Sequence, residues 1–277
     1  MKQTLGYYDQ GTAAYRACQA DPRFGYFLYF PKGYDPAQGG SYALCVLIHG
    51  SARTPHVYRD LFVDFAEQHR AVVLAPMFPV GITDPDDMSS YKFLMTGQDL
   101  RYDHLLLAMV DEIAARFGVG GDRFLLHGFS GGGHFVHRFF YLHAARVLAL
   151  SVGAPGMVTL LDTARPWHCG VADMEARFGQ PLAWDAMRTV PVQMIVGAED
   201  TETWEITIKQ DSPHWMDGVN DAGRTRIERL GALRRSFEQN GIQVRYDEVP
   251  GVAHDGYGIV EPVKAFFAEA LTDRARG

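Results

Sequence analysis

The stretch Arg123-Phe-Leu-Leu-His-Gly-Phe-Ser-Gly-Gly-Gly-His134 combines three local patterns. Its apolar run Phe124-Leu-Leu126 predicts a buried strand, and the apolar residues that follow His134 recur at helical spacing. Between them lies Gly128-Phe-Ser-Gly-Gly132, a G-x-S-x-G match at a strand–turn–helix junction. Such a turn holds the serine in a strained backbone conformation, and its glycines let strand and helix approach closely. We therefore predict that Ser130 is a nucleophile presented above a sheet.

The rest of the chain alternates between apolar strand patterns and amphipathic helix patterns. Strands are predicted at 24–31, 42–48, 71–75, 124–126, 147–152, 192–196 and 243–249. Helices are predicted around 58–65, 105–117, 135–140, 225–239 and 259–271. This alternation predicts an α/β domain over residues 1–277, with a mostly parallel central sheet and helices on both faces. Residues 156–190 break the rhythm with prolines and tryptophans, and we interpret them as a small cap insertion.

Composition narrows the class of protein. The 277 residues are 47% hydrophobic and 21% charged, and a formal net charge of -7 without any Lys/Arg run argues against a nucleic-acid partner. Three cysteines, Cys18, Cys45 and Cys169, cannot form a disulfide framework, which favours a reducing compartment. The N-terminal Met1–Tyr8 has no apolar signal segment, and no run is long enough to span a bilayer. We therefore expect a cytoplasmic protein that does not associate with membranes.

A serine nucleophile needs a histidine base within hydrogen-bond reach. After a strand–turn–helix nucleophile the partners follow in the order acid, then histidine. His168, His214 and His254 follow Ser130 along the chain. His168 lies in the predicted cap and His214 in a polar loop, whereas His254 lies on the loop just after the last predicted strand. We predict that His254 is the base.

The acid is predicted at the end of another strand. Val192-Gln-Met-Ile-Val196 leads directly into Gly197-Ala-Glu-Asp200. Because Glu199 and Asp200 are adjacent, at most one of them faces the imidazole. We favour Asp200, partly on the spacing implied by the family resemblance described below, and keep Glu199 as the alternative.

Other titratable residues receive structural interpretations. His127, His134 and His137 lie on the predicted buried strand and the helix after it, where packing explains them without a metal. Met77–Gln98 is predicted to be a long loop, and loops of this kind often border a functional site. Its acidic tip at 84–87 is interpreted as a solvated turn. We expect no metal and no cofactor.

Together these residues resemble the α/β-hydrolase superfamily over nearly the whole chain. Within it the chain looks like the serine esterases grouped with polyhydroxybutyrate-depolymerase-like and feruloyl-esterase-like proteins. The resemblance is carried by Tyr26-Phe-Leu-Tyr-Phe-Pro31, Leu47-Ile-His-Gly50, Gly128-Phe-Ser-Gly-Gly132, Val196-Gly-Ala-Glu-Asp200 and Val249-Pro-Gly-Val-Ala-His254. It implies an oxyanion hole formed by the backbone N–H groups of Ser51 and Gly131. If the turn is displaced by one residue, the backbone N–H of Ala52 takes the place of that of Ser51.

The expected activity is hydrolysis of a small carboxylic ester through an acyl-enzyme intermediate. A peptidase, thioesterase or acyltransferase with the same triad remains an alternative, as does a binding protein with little turnover. Aromatic residues in the loops suggest an apolar or aromatic substrate group. The predicted substrate contacts are Phe129, Trp167, Trp184 and Trp204. Tyr91 and Phe93 also lie in a loop that is predicted to be near the site. Arg53 either binds a substrate carboxylate or forms a surface ion pair.

Overall fold

The computed structural model describes residues 5–97 and 100–276. Gln98, at the end of the predicted loop, and the first four residues of the N-terminus lie outside the described residues. The strands in the described ranges are β1 (Gly11–Thr12), β2 (Arg16–Ala17), β3 (Gly25–Phe30), β4 (Ala43–Ile48), β5 (Ala71–Met77), β6 (Phe124–Phe129), β7 (Val147–Gly153), β8 (Val192–Gly197) and β9 (Val244–Val249). The α-helices are α1 (Pro55–Leu61), α2 (Val63–His69), α3 (Tyr102–Phe117), α4 (Gly131–His143), α5 (Met174–Phe178), α6 (Trp184–Met187), α7 (Arg226–Gln239) and α8 (Val260–Arg276).

The strands form one mixed sheet in the order β1–β3–β5–β4–β6–β7–β8–β9, with β2 also paired to β3. β1 and β2 are antiparallel to β3, and β3 is antiparallel to β5. From β5 to β9 every pairing is parallel. The prediction of a mostly parallel sheet is therefore confirmed. Because β4, β6, β8 and β9 run in the same direction, the residues that follow them lie along one edge of the sheet.

Helices cover both faces of the sheet. A β-carbon on Gly128 of β6 would lie 2.9 Å from Val136 of α4, whereas the neighbouring His127 contacts Tyr58 of α1 with ring centroids 6.4 Å apart. Successive strand residues point to opposite faces, so α4 and α1 lie on opposite sides. The ring of Phe237 in α7 lies near α4, and that of Phe267 in α8 lies near α2.

The predicted helix around 58–65 is two short helices. The Phe62 N–H donates to the carbonyl of Arg59 and its ψ is 9°, which turns the chain between α1 and α2. This turn brings the rings of Phe62 and Phe65 within 6.5 and 6.3 Å of Phe267. Both rings thus pack against α8.

The segment 156–190 packs into the same hydrophobic core as the sheet. Met157, Leu161, Met174 and Phe178 are buried members of that core. Gly156 and Met157 line the cavity described below. The interpretation of 156–190 as a cap stays a prediction. None of the helices among residues 5–97 and 100–276 combines the length and the apolar character needed to cross a bilayer.

Candidate active site

The turn after β6 places Ser130 in a strained conformation. Ser130 has φ 55° and ψ -115°, a region that residues with a β-carbon rarely occupy, and its N–H donates to Gly153 O at 2.8 Å. A β-carbon on Gly128 would lie 2.4 Å from Gly132 O, and one on Gly132 would lie 2.2 Å from Ile48 O. Both glycines therefore permit the close packing that the G-x-S-x-G pattern predicts.

Ser130, His254 and Asp200 form a continuous chain of hydrogen bonds. Ser130 Oγ lies 3.0 Å from His254 Nε2, and His254 Nδ1 lies 2.6 Å from Asp200 Oδ2. Because an ionised carboxylate accepts hydrogen bonds, Asp200 selects the tautomer with the proton on Nδ1, leaving Nε2 free to accept the serine proton. The ring of Phe129 packs against the imidazole with centroids 4.7 Å apart. The arrangement can remove a proton from Ser130 as the serine attacks.

The loops that carry Asp200 and His254 are hydrogen bonded to each other. Glu199 N donates to Val252 O and Ala198 N to Val249 O, each at 2.9 Å. Glu199 is exposed, whereas only 1% of Asp200 is accessible to solvent. Of the two predicted acids, Asp200 is therefore the one that faces the imidazole.

Arg226 contacts the second oxygen of the Asp200 carboxylate and was missed at the sequence level. Its Nη1 lies 3.2 Å from Asp200 Oδ1, and its Nη2 lies 2.5 Å from Glu205 Oε2. Arg226 is almost fully buried at the start of α7, where the capping box of Thr225 and Glu228 begins the helix. The capping box signals the helix start in sequence, but nothing local indicates that the guanidinium reaches Asp200.

The two predicted oxyanion donors lie side by side. Ser51 N is 3.2 Å from the point where a β-carbon of Gly131 would be, and both residues line the cavity next to Ser130. As the first residue of α4, Gly131 has no intrahelical acceptor for its N–H. Ala52 is exposed and absent from the cavity lining among the described residues. The geometry therefore favours Ser51 over Ala52.

His49 supports the turn that presents Ser51. Its Nε2 accepts a hydrogen bond from Phe78 N at 3.0 Å, and its Nδ1 therefore donates to Gly50 O at 2.8 Å. Burial lowers the pKa of His49 to about 4, so the ring is neutral at neutral pH. The ring connects the chain after β4 to the chain after β5.

A cavity of about 180 Å³ opens beside Ser130. Three segments outside the nucleophile turn form much of its wall, and sequence reasoning named few of their residues. They contribute Ser89, Lys92 and Phe93 from the loop after β5, Gly156 and Met157 from the segment after β7, and Glu205, Ile206, Ile208 and His214 from the loop after β8. The loop after β5 thus borders the site as predicted, and the loop after β8 supplies more of the wall than the predicted cap.

The predicted aromatic substrate contacts lie mostly elsewhere. Among the described residues the cavity lining includes Phe93 but not Phe129, Trp167, Trp184 or Trp204. Trp167 is buried against Phe178 and the guanidinium of Arg138. Trp184 is half-buried against the core, and Trp204 is 76% exposed beside the cavity residue Glu205.

Arg53 does not face the cavity as a free cation. Its guanidinium donates to the carbonyl oxygens of Ser51, Phe78 and Met88 and stacks over Tyr91. Both predictions for Arg53, a substrate carboxylate and a surface ion pair, are wrong, because its hydrogen bonds go to backbone carbonyl groups. Arg53 thus connects the loop after β4 to two points of the loop after β5.

The histidines predicted to be structural are buried and hydrogen bonded. His137 Nδ1 donates to Gly133 O at 2.7 Å and its Nε2 accepts from Thr159 N, while His134 Nε2 accepts from Met157 N at 3.0 Å. His134 also lines the cavity. His127 Nδ1 lies 3.0 Å from Ser151 Oγ.

One group of potential metal ligands comes together in the described ranges, away from Ser130. It consists of Asp103, His104 and His143. Asp103 already binds Arg101 at 2.6 Å and His143 at 2.8 Å, which lower its pKa against the effect of burial. A cation there would compete with Arg101.

The acidic tip of the loop after β5 forms a turn, as predicted. Asp84 and Asp87 accept hydrogen bonds from backbone N–H groups of that turn.

No family model matches the chain, and no curated protein matches it. Solved structures do. Poly(aspartic acid) hydrolase-1 from Sphingomonas sp. KT-1 aligns over 92% of this chain and 98% of its own, with 18% identity and a TM-score of 0.73. LpqC, a poly(3-hydroxybutyrate) depolymerase from Bordetella parapertussis, aligns over 89% and 84%, with 23% identity and a TM-score of 0.72. An S-formylglutathione hydrolase from Agrobacterium tumefaciens aligns over 90% and 89%, with 14% identity and a TM-score of 0.58. The expected resemblance is confirmed at the level of architecture: the chain has the α/β-hydrolase fold.

Proposed function

We propose that the protein is a serine hydrolase that cleaves small carboxylic esters through an acyl-enzyme intermediate. The observation that carries the proposal is the chain of contacts from Ser130 Oγ to His254 Nε2, at 3.0 Å, and from His254 Nδ1 to Asp200 Oδ2, at 2.6 Å. It coincides with a strained nucleophile turn and a cavity beside the serine. The poly(3-hydroxybutyrate) depolymerase and the S-formylglutathione hydrolase that align with this chain add support.

In the first half-reaction, Ser130 Oγ bonds to the ester carbonyl carbon while His254 Nε2 takes the hydroxyl proton. Asp200 accepts the Nδ1–H hydrogen bond and stabilises the imidazolium. The N–H groups of Ser51 and Gly131 donate to the oxyanion. The bond from carbon to the alcohol oxygen then breaks, and His254 returns the proton to the departing alcohol.

In the second half-reaction, water attacks the acyl-enzyme and gives its proton to His254. The bond from the carbonyl carbon to Ser130 Oγ breaks, and the serine recovers its proton from His254. The products are one carboxylic acid and one alcohol. The same residues would act on thioesters or amides, so leaving-group preference is a separate question.

A fluorophosphonate probe tests whether Ser130 is activated. We expect labelling at Ser130 in the wild type and none in Ser130→Ala, with Ser51→Ala labelled normally because Ser51 acts through its backbone N–H. Esters, thioesters and amides with matched acyl groups then establish the reaction. Absence of labelling, or full esterase activity in Ser130→Ala, would contradict the proposal and favour a binding protein.

A further inference from the structure

Lys92 is a cation in the cavity that the proposed triad does not use. Its Cε atom lies 3.1 Å from the point where a β-carbon of Gly131 would be, and Ser51 N lies 3.2 Å from the same point. The ammonium nitrogen is one bond from Cε, so it lies close to the two predicted oxyanion donors, Ser51 and Gly131. Lys92 also lines the cavity that opens at Ser130.

The two cations of the cavity lining differ in their partners. Arg226 is paired with Asp200 and Glu205. Within residues 5–97 and 100–276, Lys92 has no carboxylate oxygen at salt-bridge distance. Glu205 and Asp87 act on the ammonium only from beyond salt-bridge distance, so it has no paired carboxylate, and an anionic ligand would relieve the cost of burying it.

A second buried cation adds positive charge behind Lys92. Arg138 is fully buried, and its Nη1 donates to Lys92 O at 2.5 Å. Its guanidinium packs over the rings of Phe93 and Trp167, and no carboxylate of the described chain lies within salt-bridge distance of it. Its Nη2 is buried without a hydrogen-bond partner in the same described part. Lys92 and Arg138 therefore place two cations on this side of the cavity, although the protein as a whole is acidic.

We propose that Lys92 binds a carboxylate carried by the substrate close to its scissile ester, so that the site prefers anionic esters over neutral ones. The inference rests on the proposed ester hydrolysis and adds the substrate class. Lys92 is a specificity-determining residue in this view. Its side chain supplies a charge-assisted hydrogen bond to the carboxylate, and Ser51 and Gly131 remain the oxyanion donors.

The test compares two substrates of equal chain length that differ in charge. These are the p-nitrophenyl monoester of glutarate, which carries a free carboxylate, and p-nitrophenyl pentanoate, which is neutral; both rates are corrected for spontaneous hydrolysis. We expect the wild type to show a kcat/KM about tenfold or more higher for the glutarate ester, the size of one charge-assisted hydrogen bond. Lys92→Met should reduce this ratio by about the same factor.

Lys209→Met is the matched control. Lys209 is exposed and follows Ile208, which lines the cavity, so the variant removes a nearby lysine charge without changing the lining. We expect its ratio to equal that of the wild type. A wild-type ratio near unity overturns the proposal. An equal loss on both esters in Lys92→Met also overturns it and would mean that Lys92 acts on the oxyanion. Thermal unfolding of each variant confirms that it is folded.

Binding separates this inference from the proposed function. In a Ser130→Ala background, Lys92→Met should weaken binding of the intact glutarate ester about tenfold relative to the pentanoate ester. If the wild type hydrolyses neither ester but this binding difference appears, the proposed reaction is wrong and the anion site stands. If both esters are hydrolysed without a charge preference and the binding difference is missing, the anion site is wrong and the reaction stands.

Discussion

Arg226 and His254 contact opposite oxygens of the Asp200 carboxylate. The guanidinium lies 3.2 Å from Oδ1 and the imidazole 2.6 Å from Oδ2. Asp200 is thereby held between two donors in a site that excludes water, since Asp200 and Arg226 are 1% and 2% exposed. Arg226 therefore acts as a positioning residue for the acid.

Arg226→Gln should impair both stability and activity. Removing one partner of a buried ion pair leaves the other charge uncompensated, at a cost of about 3 kcal/mol or more in the free energy of unfolding. A mobile Asp200 should also reduce kcat by about tenfold or more, with a smaller effect on KM. Urea unfolding and steady-state kinetics measure the two effects. Arg224→Gln, at an exposed position of the same turn, is the control. Wild-type kcat in Arg226→Gln would show that Arg226 serves only stability.

Asp200→Asn should abolish most turnover while Glu199→Gln should not. The amide of asparagine can donate to Nδ1 and favour the wrong tautomer of His254, an effect worth about four orders of magnitude in kcat in serine hydrolases with this triad. Glu199 is exposed, so its substitution should change kcat less than about twofold. Steady-state hydrolysis of a nitrophenyl ester by the two purified variants makes the comparison. A large loss in Glu199→Gln would reverse our choice of acid.

Gly131→Ala should close the oxyanion site. The added β-carbon would lie 2.2 Å from the Tyr91 hydroxyl oxygen, so the ring or the turn must shift. We expect kcat to fall by about 10²–10³, as on loss of one oxyanion donor, and stability to fall by about 1–3 kcal/mol.

The double variant Gly131→Ala/Tyr91→Phe checks this explanation, because it lacks the hydroxyl that the methyl group meets. In a double-mutant cycle the two changes should be less destabilising together than the sum of the single changes. Simple additivity in urea unfolding would rule out the Tyr91 contact as the cause.

The preference for anionic esters should depend on pH. Burial, and secondarily Arg53, lower the pKa of Lys92 to about 8, so the ammonium is charged below that pH and neutral above it. The substrate carboxylate stays ionised, so the ratio of kcat/KM for the anionic over the neutral ester should fall as the pH rises from about 7 to about 9.5. Arg138 also lowers the pKa of Lys92, whereas Glu205 and Asp87 raise it. Two further titratable side chains, His134 and His214, line the same cavity.

Lys92→Arg is the decisive variant for this pH dependence. A guanidinium remains protonated up to about pH 12, so any preference that this variant retains should not decline over the range. Both esters use the same base, so the ratio isolates the effect of residue 92. A wild-type ratio that stays constant with pH would contradict the assignment to Lys92.

The nucleophile, base and acid could be predicted because each lies in the turn or loop that follows a strand. Ser130, Asp200 and His254 have strong local signals, and parallel pairing of β6 to β9 gathers their positions at one edge of the sheet. Their catalytic roles, the cap and the cytoplasmic location remain proposals. Arg226 and Lys92 carried no such signal, because the first reaches Asp200 from a helix start and the second reaches the cavity from a loop.

The aromatic residues show the limit of composition as a guide. Trp167 and Trp184 were chosen because tryptophans in loops often contact ligands, yet Trp167 packs on Arg138 and Trp184 on the core. The sequence by itself determined the strand–helix alternation, the strained serine turn and the order of the residues in the proposed triad, since these depend on local periodicity and short turns. Only the tertiary structure decided that Glu199 faces solvent, that Arg226 holds Asp200 and that Lys92 lies in the cavity. Each of these depends on how loops distant in sequence pack over the sheet edge, and no local pattern encodes that packing.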